Sequence, residues 1–156
     1  MEPKIVDLPK LYFIGLKAEL TMREINQVCP ALWSELMSKS QDLFSNQDLM
    51  CLGVCITPET STENDSFIYM AGFASDKPLE GRKGYVLHEI SASKYAVFTH
   101  KGSINTLTST FDYAYKTWLP ASHYKVHCHE DLELYDQRFN ESDPENSEMD
   151  IYIPIQ

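Results

Sequence analysis

When residues 84–156 of this chain are slid back by 83 positions, several strand-forming residues coincide. Tyr95 falls on Tyr12, Val97 on Ile14, Leu132 on Leu49, Ile151 on Ile68 and Tyr152 on Tyr69. In the helix-prone stretches, Ala114 falls on Ala31 and Leu119 on Leu36. Each match is weak alone, but a shared offset indicates a duplicated unit, which restricts the possible folds more than any local pattern does. The reading is a single domain over residues 1–156, with pseudo-repeats at about 1–80 and 81–156. A chain of 156 residues fits one such domain.

Each unit reads strand, helix, strand, strand. In the first, KLYFIGLKAEL carries the branched and aromatic residues of a strand. Thr21 and Glu24 have the spacing of a capping box, and Ile25, Val28, Leu32 and Leu36 follow at helical intervals. Pro30 inside that pattern predicts a kink or a helix that starts there. DLMCLGVCI and SFIYMAGF then read as a strand pair around the polar loop TPETSTEND, and Gly81 to Gly84 connect the units. In the second unit KYAVFTH is a strand, and Gly102-Ser103 supplies a turn and a helix cap. Ile104, Leu107, Phe111, Ala114, Tyr115 and Trp118 make an apolar stripe ended by Pro120. LELYDQRF and DIYIPI close the unit around an acidic loop. Two helices and six to eight strands in this order predict an α+β fold, an antiparallel sheet with both helices on one face.

Charge and composition exclude several functions. With 13 basic and 23 acidic side chains the formal net charge is −10, and the basic residues are scattered. Phosphate-backbone binding needs clustered Lys and Arg, so direct nucleic-acid binding is not expected. Neither a membrane-length apolar run nor a signal-peptide core is present, which leaves the cytoplasm as the expected location and no membrane as partner. The four cysteines form no CxxC pair and read as reduced thiols. His123, His127, Cys128, His129 and Glu130 crowd one segment, but no second chelating pair accompanies them, so no metal site is assigned. The sequence contains no phosphate-cradling glycine loop and no Ser-His-Asp elbow, and no cofactor is expected.

Glu133 is the residue these patterns leave open. Along its strand it shares parity with Asp131 and Tyr135, while Leu132 and Leu134 take the other face. By period alone the leucines belong to the core and Glu133 to water. Trp33, Tyr69, Phe111, Tyr115, Trp118 and Tyr152 are likewise either core aromatics or ligand contacts. Tyr69 and Tyr152 coincide under the repeat, which favours them as flanks of a pseudo-twofold cleft.

The second half resembles the GyrI-like effector-binding domain, the C-terminal sensor of AraC-type and MerR-type regulators that also occurs as stand-alone proteins. The resemblance rests on His100-Lys101-Gly102, Trp118-Leu119-Pro120-Ala121-Ser122, Glu133-Leu134-Tyr135 and the terminal Asp150-Ile151-Tyr152-Ile153-Pro154-Ile155. It implies a duplicated βαββ fold with an aromatic cleft between the helices, and a glutamate at the cleft floor that receives lipophilic cations. Glu133 matches that glutamate and Tyr152 an aromatic of the closing strand. Under this resemblance the ligand-binding set is Glu133, Tyr152, Tyr69, Trp33, Trp118, Phe111 and Tyr115. Ile104 departs from the pattern, standing where many members carry an aromatic. The resemblance also implies two alternatives: hydrolysis of an electrophilic small molecule by Glu133 and Tyr152, and a gyrase-inhibitor-like interaction through the acidic loops. No helix-turn-helix pattern precedes the first strand, so the regulator role is not carried over to this chain acting alone, and the partner left open is a DNA-binding regulator or gyrase.

Overall fold

The computed structural model describes residues 1–58 and 65–156. Among the described residues, eight strands form one antiparallel sheet in the order β1-β6-β8-β7-β3-β4-β2-β5. The strands are β1 (Lys4–Leu8), β2 (Leu11–Leu20), β3 (Met50–Ile56), β4 (Phe67–Ser75), β5 (Val86–Ile90), β6 (Ser93–Lys101), β7 (Glu130–Tyr135) and β8 (Glu148–Ile155). Helix α1 (Ile25–Lys39) lies between β2 and β3, followed by the short α2 (Gln41–Phe44). The second long helix joins α3 (Leu107–Asp112), a π-helical stretch (Tyr113–Trp118) and α4 (Leu119–Ala121).

Local chemistry explains where the helices start. The backbone N–H of Thr21 donates to the Glu24 carboxylate at 2.9 Å, closing the capping box expected there. Gly102 adopts φ +112°, which a side chain would resist, and Ser103 Oγ accepts from the backbone N–H of Asn105. Pro30 neither starts nor ends α1, which runs through it from Ile25 to Lys39. Proline removes one helical hydrogen bond, but Leu32 and Leu36 bury the same helix against the sheet and hold it.

Both faces of the sheet are covered. One face carries the two helices: α1 packs on β2 and β4, and α3 on β6. Beneath them lie two apolar clusters, one built around Ile14, Leu36 and Phe73, the other around Phe98, Ala114 and Ile151. The opposite face curls onto itself. Val6 and Leu8 from one edge and Ile90 from the other edge join Leu11 of β2 and central Leu52, Val54 and Leu132 in a third cluster. His88 on edge strand β5 reaches Glu130 on β7 at 2.6 Å, a contact only a strongly rolled sheet permits. Period-two reasoning gives one wet face and one dry face; the curl makes both dry.

The pairing register also corrects the repeat. Gly53 pairs with Ala71, which pairs with Leu16; Glu133 pairs with Ile151, which pairs with Phe98. Gly53 and Glu133 also pair with each other, across the centre of the sheet. The structural counterpart of Glu133 is therefore Gly53, and that of Tyr69 is Met149, not Tyr152. On these strands the structural offset is 80, three less than the sequence offset of 83, and an odd slip exchanges the two faces of a strand.

Candidate functional site

The central strands β3 and β7 lie between the sites where the two helices dock, so their helix-side residues floor a groove. On β7 these are Asp131, Glu133 and Tyr135; on β3 they are Cys55, Gly53 and Cys51, paired opposite them. Gly53 creates the space for Glu133. A Cβ there would fall 2.6 Å from Glu133 Oε1 and closer still to the Tyr69 hydroxyl.

Glu133 is only 7% exposed, so periodicity misplaced it in water. Its Oε1 accepts hydrogen bonds from the hydroxyls of Tyr69 and Tyr135, each at 2.8 Å. The indole N–H of Trp33 on α1 donates to the Tyr69 hydroxyl oxygen at 2.9 Å. The Trp33 ring meets Tyr135 edge to face at 5.1 Å, and Phe139 meets the other side of Tyr135 at 4.9 Å. Burial raises the Glu133 carboxyl above the ordinary range, and the two tyrosine donors oppose that rise only in part.

A second acid lies beside it. Asp131 is 9% exposed, and its Oδ1 accepts from the Tyr115 hydroxyl at 2.5 Å. Burial pushes its carboxyl up to about 7, with the Tyr115 donor opposing and the charge of Glu133 adding. Burial also raises the neighbouring thiols, Cys29 to about 12 and Cys55 further, so both are protonated and inert as nucleophiles. Among the described residues no ion pair involves Glu133 or Asp131. The arginine of the same strand end, Arg138, is engaged by Asp136 and Asp150 instead.

The structure brings together Glu133, Tyr69 and Trp33 from the residues the sequence proposes, with Tyr115 two strand positions away at Asp131. It separates Tyr152 from them, while Phe111 and Trp118 pack in one cluster with Tyr115 and Tyr135. Tyr152 pairs with Leu132, which places it on the curled face, edge to face with Tyr95 at 5.7 Å. It therefore cannot act with Glu133 on one substrate, and the Glu133–Tyr152 pair of the hydrolase alternative does not form. Trp118 lies edge-on to Phe98 at 5.4 Å and stacks on Tyr124, and Phe111 packs in the same cluster. The ligand-binding set drawn from the sequence omits Asp131, Tyr135, Cys29, Cys55 and Gly53, although the resemblance turns Tyr135 with Glu133 towards the cleft. Parity with Glu133 was the available signal for Asp131 and Tyr135. The acidic loop Thr57–Asp65, offered as a charged surface, lies mostly outside the described residues. Among the described residues no cluster of metal ligands forms, and no helix is long and apolar enough to cross a membrane.

Comparison with known proteins identifies the fold that builds this groove. The description of the GyrI-like small molecule binding domain matches residues 1–156. The chain belongs to the GyrI-like family. The transcriptional regulator BrlR of Pseudomonas aeruginosa is 30% identical over 156 residues, covering 99% of this chain and 56% of the regulator. The chain thus spans about half the length of that relative. Among solved structures, SAV2435 bound to tetraphenylphosphonium superposes with a TM-score of 0.76 at 20% identity, covering 100% of this chain and 94% of that one. The EcmrR C-terminal domain superposes with a TM-score of 0.70 at 14% identity, covering 99% and 97%. A hydrolase from Listeria innocua shares the fold more distantly, with a TM-score of 0.57 at 12% identity over 99% and 92%. At these identities the structural likenesses establish the GyrI-like α+β fold.

Proposed function

We propose that this GyrI-like domain binds small lipophilic cations in the groove above β3 and β7, with Glu133 as the counter-charge. The observation that carries the reading is a buried carboxylate, ringed by Trp33, Tyr69 and Tyr135, that has no cationic partner among the described residues. A buried acid is costly to ionise, and an arriving cation recovers that cost while its apolar body covers aromatic surface. A cation held against both the carboxylate and the ring faces gains from each. The tetraphenylphosphonium complex of SAV2435 supports the same ligand class by analogy. Likeness to BrlR and to the EcmrR sensor domain supports a role as the effector-sensing part of a regulatory system, with DNA contacted by a different protein segment.

Titration calorimetry with tetraphenylphosphonium tests the reading. Wild-type protein is expected to bind, and Glu133→Gln to lose about 30-fold or more in affinity, the scale of removing a hydrogen-bonded charge. Equal binding by both proteins, or binding by neither, overturns it.

A further inference from the structure

The groove holds two buried carboxylates, although one suffices for a singly charged ligand. Asp131 and Glu133 are two residues apart on one face of β7, which sets them about 7 Å apart along the strand. Each has its own tyrosine donors from different parts of the fold. Tyr69 on β4 and Tyr135 on β7 serve Glu133, and Tyr115 from the second helix serves Asp131. Tyr115 sits in the π-helical stretch Tyr113–Trp118, a rare conformation that concentrates at functional positions. The counterparts of Asp131 and Glu133 on β3 are Cys51 and Gly53, so the duplicated frame does not require acids at these places.

The two acids also contrast with the acids just beyond them. Asp136 and Asp150 share Arg138, with nitrogen to oxygen distances of 2.9 and 2.7 Å. That pair is neutralised within the protein. Asp131 and Glu133 repel each other and have only neutral donors as described partners. Two like charges buried side by side favour a ligand that supplies two positive centres at the same spacing.

We propose that Asp131, positioned with Tyr115, is a second anionic subsite of this groove and selects rigid aromatic dications whose two charged centres are about 7 Å apart. The proposal rests on the reading of Glu133 as a cation anchor and names the ligand class more narrowly. One centre sits at Glu133 among Trp33, Tyr69 and Tyr135; the other sits at Asp131 beside Tyr115.

The test compares two flat probes of the same shape, 1,1′-dimethyl-4,4′-bipyridinium with two cationic nitrogens at about this spacing and 1-methyl-4-phenylpyridinium with one. Calorimetry on the full chain at pH 8 is expected to show the dication binding about tenfold more tightly than the monocation. Asp131→Asn, which keeps the shape of the side chain, is expected to abolish that preference, so that the two probes bind within about twofold of each other. Tyr115→Phe removes the donor but not the charge and is expected to keep the preference, which separates a charge role for Asp131 from a packing role. If the wild-type protein binds the monocation and gains nothing from the second charge, the dication proposal fails alone. A preference that survives in Asp131→Asn overturns it equally. If neither probe nor tetraphenylphosphonium binds, the reading of Glu133 fails and this proposal fails with it.

Discussion

The two halves of the groove floor have the same backbone and opposite chemistry. β3 presents Cys51, Gly53 and Cys55, and β7 presents Asp131, Glu133 and Tyr135, paired across the centre of the sheet. The first half contributes room and donors: Gly53 leaves the space, while Tyr69 and Trp33 supply the hydroxyl and the indole N–H. The second half contributes both acids. Duplication thus built a symmetric frame, and the site arose where the symmetry was broken. A glutamate on both strands would bury two carboxylates in contact, at a cost no groove of neutral donors offsets.

The helices show the same division. Helix α1 continues through Pro30 and brings Trp33 onto the Tyr69–Glu133 pair. The second helix widens into a π stretch and brings Tyr115 onto Asp131. Equivalent elements therefore reach different acids by different backbone geometry.

The asymmetry can be broken most strongly through protonation. Asp131 keeps its proton up to about pH 7 in the folded chain and ionises near its ordinary value of 3.8 when unfolded. Between those values the folded state binds more protons, so stability from this group is present at low pH and is lost as pH rises towards 7, then levels off. Asp131→Asn should remove that slope, and denaturant melts of both proteins between pH 4 and 8 should differ by at most about 4 kcal/mol across the range. Raised Glu133 adds the same sign in both proteins, while Asp42 and Asp136, both held low by arginine partners, add the opposite sign in both. Parallel pH profiles for the two proteins would show that Asp131 titrates normally.

Restoring a side chain to the empty half comes next. Gly53→Ala drives a methyl group against Tyr69 and Glu133 and should cost about 2 kcal/mol of stability, with weaker tetraphenylphosphonium binding. Urea melts and calorimetry read both effects, and an unchanged melt would mean the floor can yield. Trp33→Phe keeps an aromatic wall but deletes the donor to Tyr69, and should lower stability by about 1 kcal/mol. The smallest effect is expected at Tyr152→Phe, which should leave cation affinity within about twofold, because that ring lies on the curled face. A larger loss there would contradict the separation of the two faces.

Much of the frame is legible in the residues themselves. The repeated order of strand, helix, strand and strand, the Thr21–Glu24 cap and the Gly102-Ser103 turn all follow from local preference and periodicity. Glu133 was visible as the odd residue of its strand, and Trp33 and Tyr69 as aromatics within reach of a cleft. The edge strands β1 and β5 were not distinguished, and LELYDQRF ends as a strand at Tyr135, where Asp136 to Phe139 turn instead.

What sequence determined, then, is which elements exist and which strand carries the acids, because those depend on neighbours a few residues away. The tertiary structure decided which face of each strand is buried, and so which aromatics meet Glu133. A slip between odd and even register moves a residue across the sheet, and no local pattern records it. The curl of the sheet dried the face where Tyr152 lies, and the spread of the two helices left β3 and β7 to be covered by side chains such as Trp33 and Tyr115. Those long-range events turned Glu133 from an apparent surface charge into the buried acid of a groove.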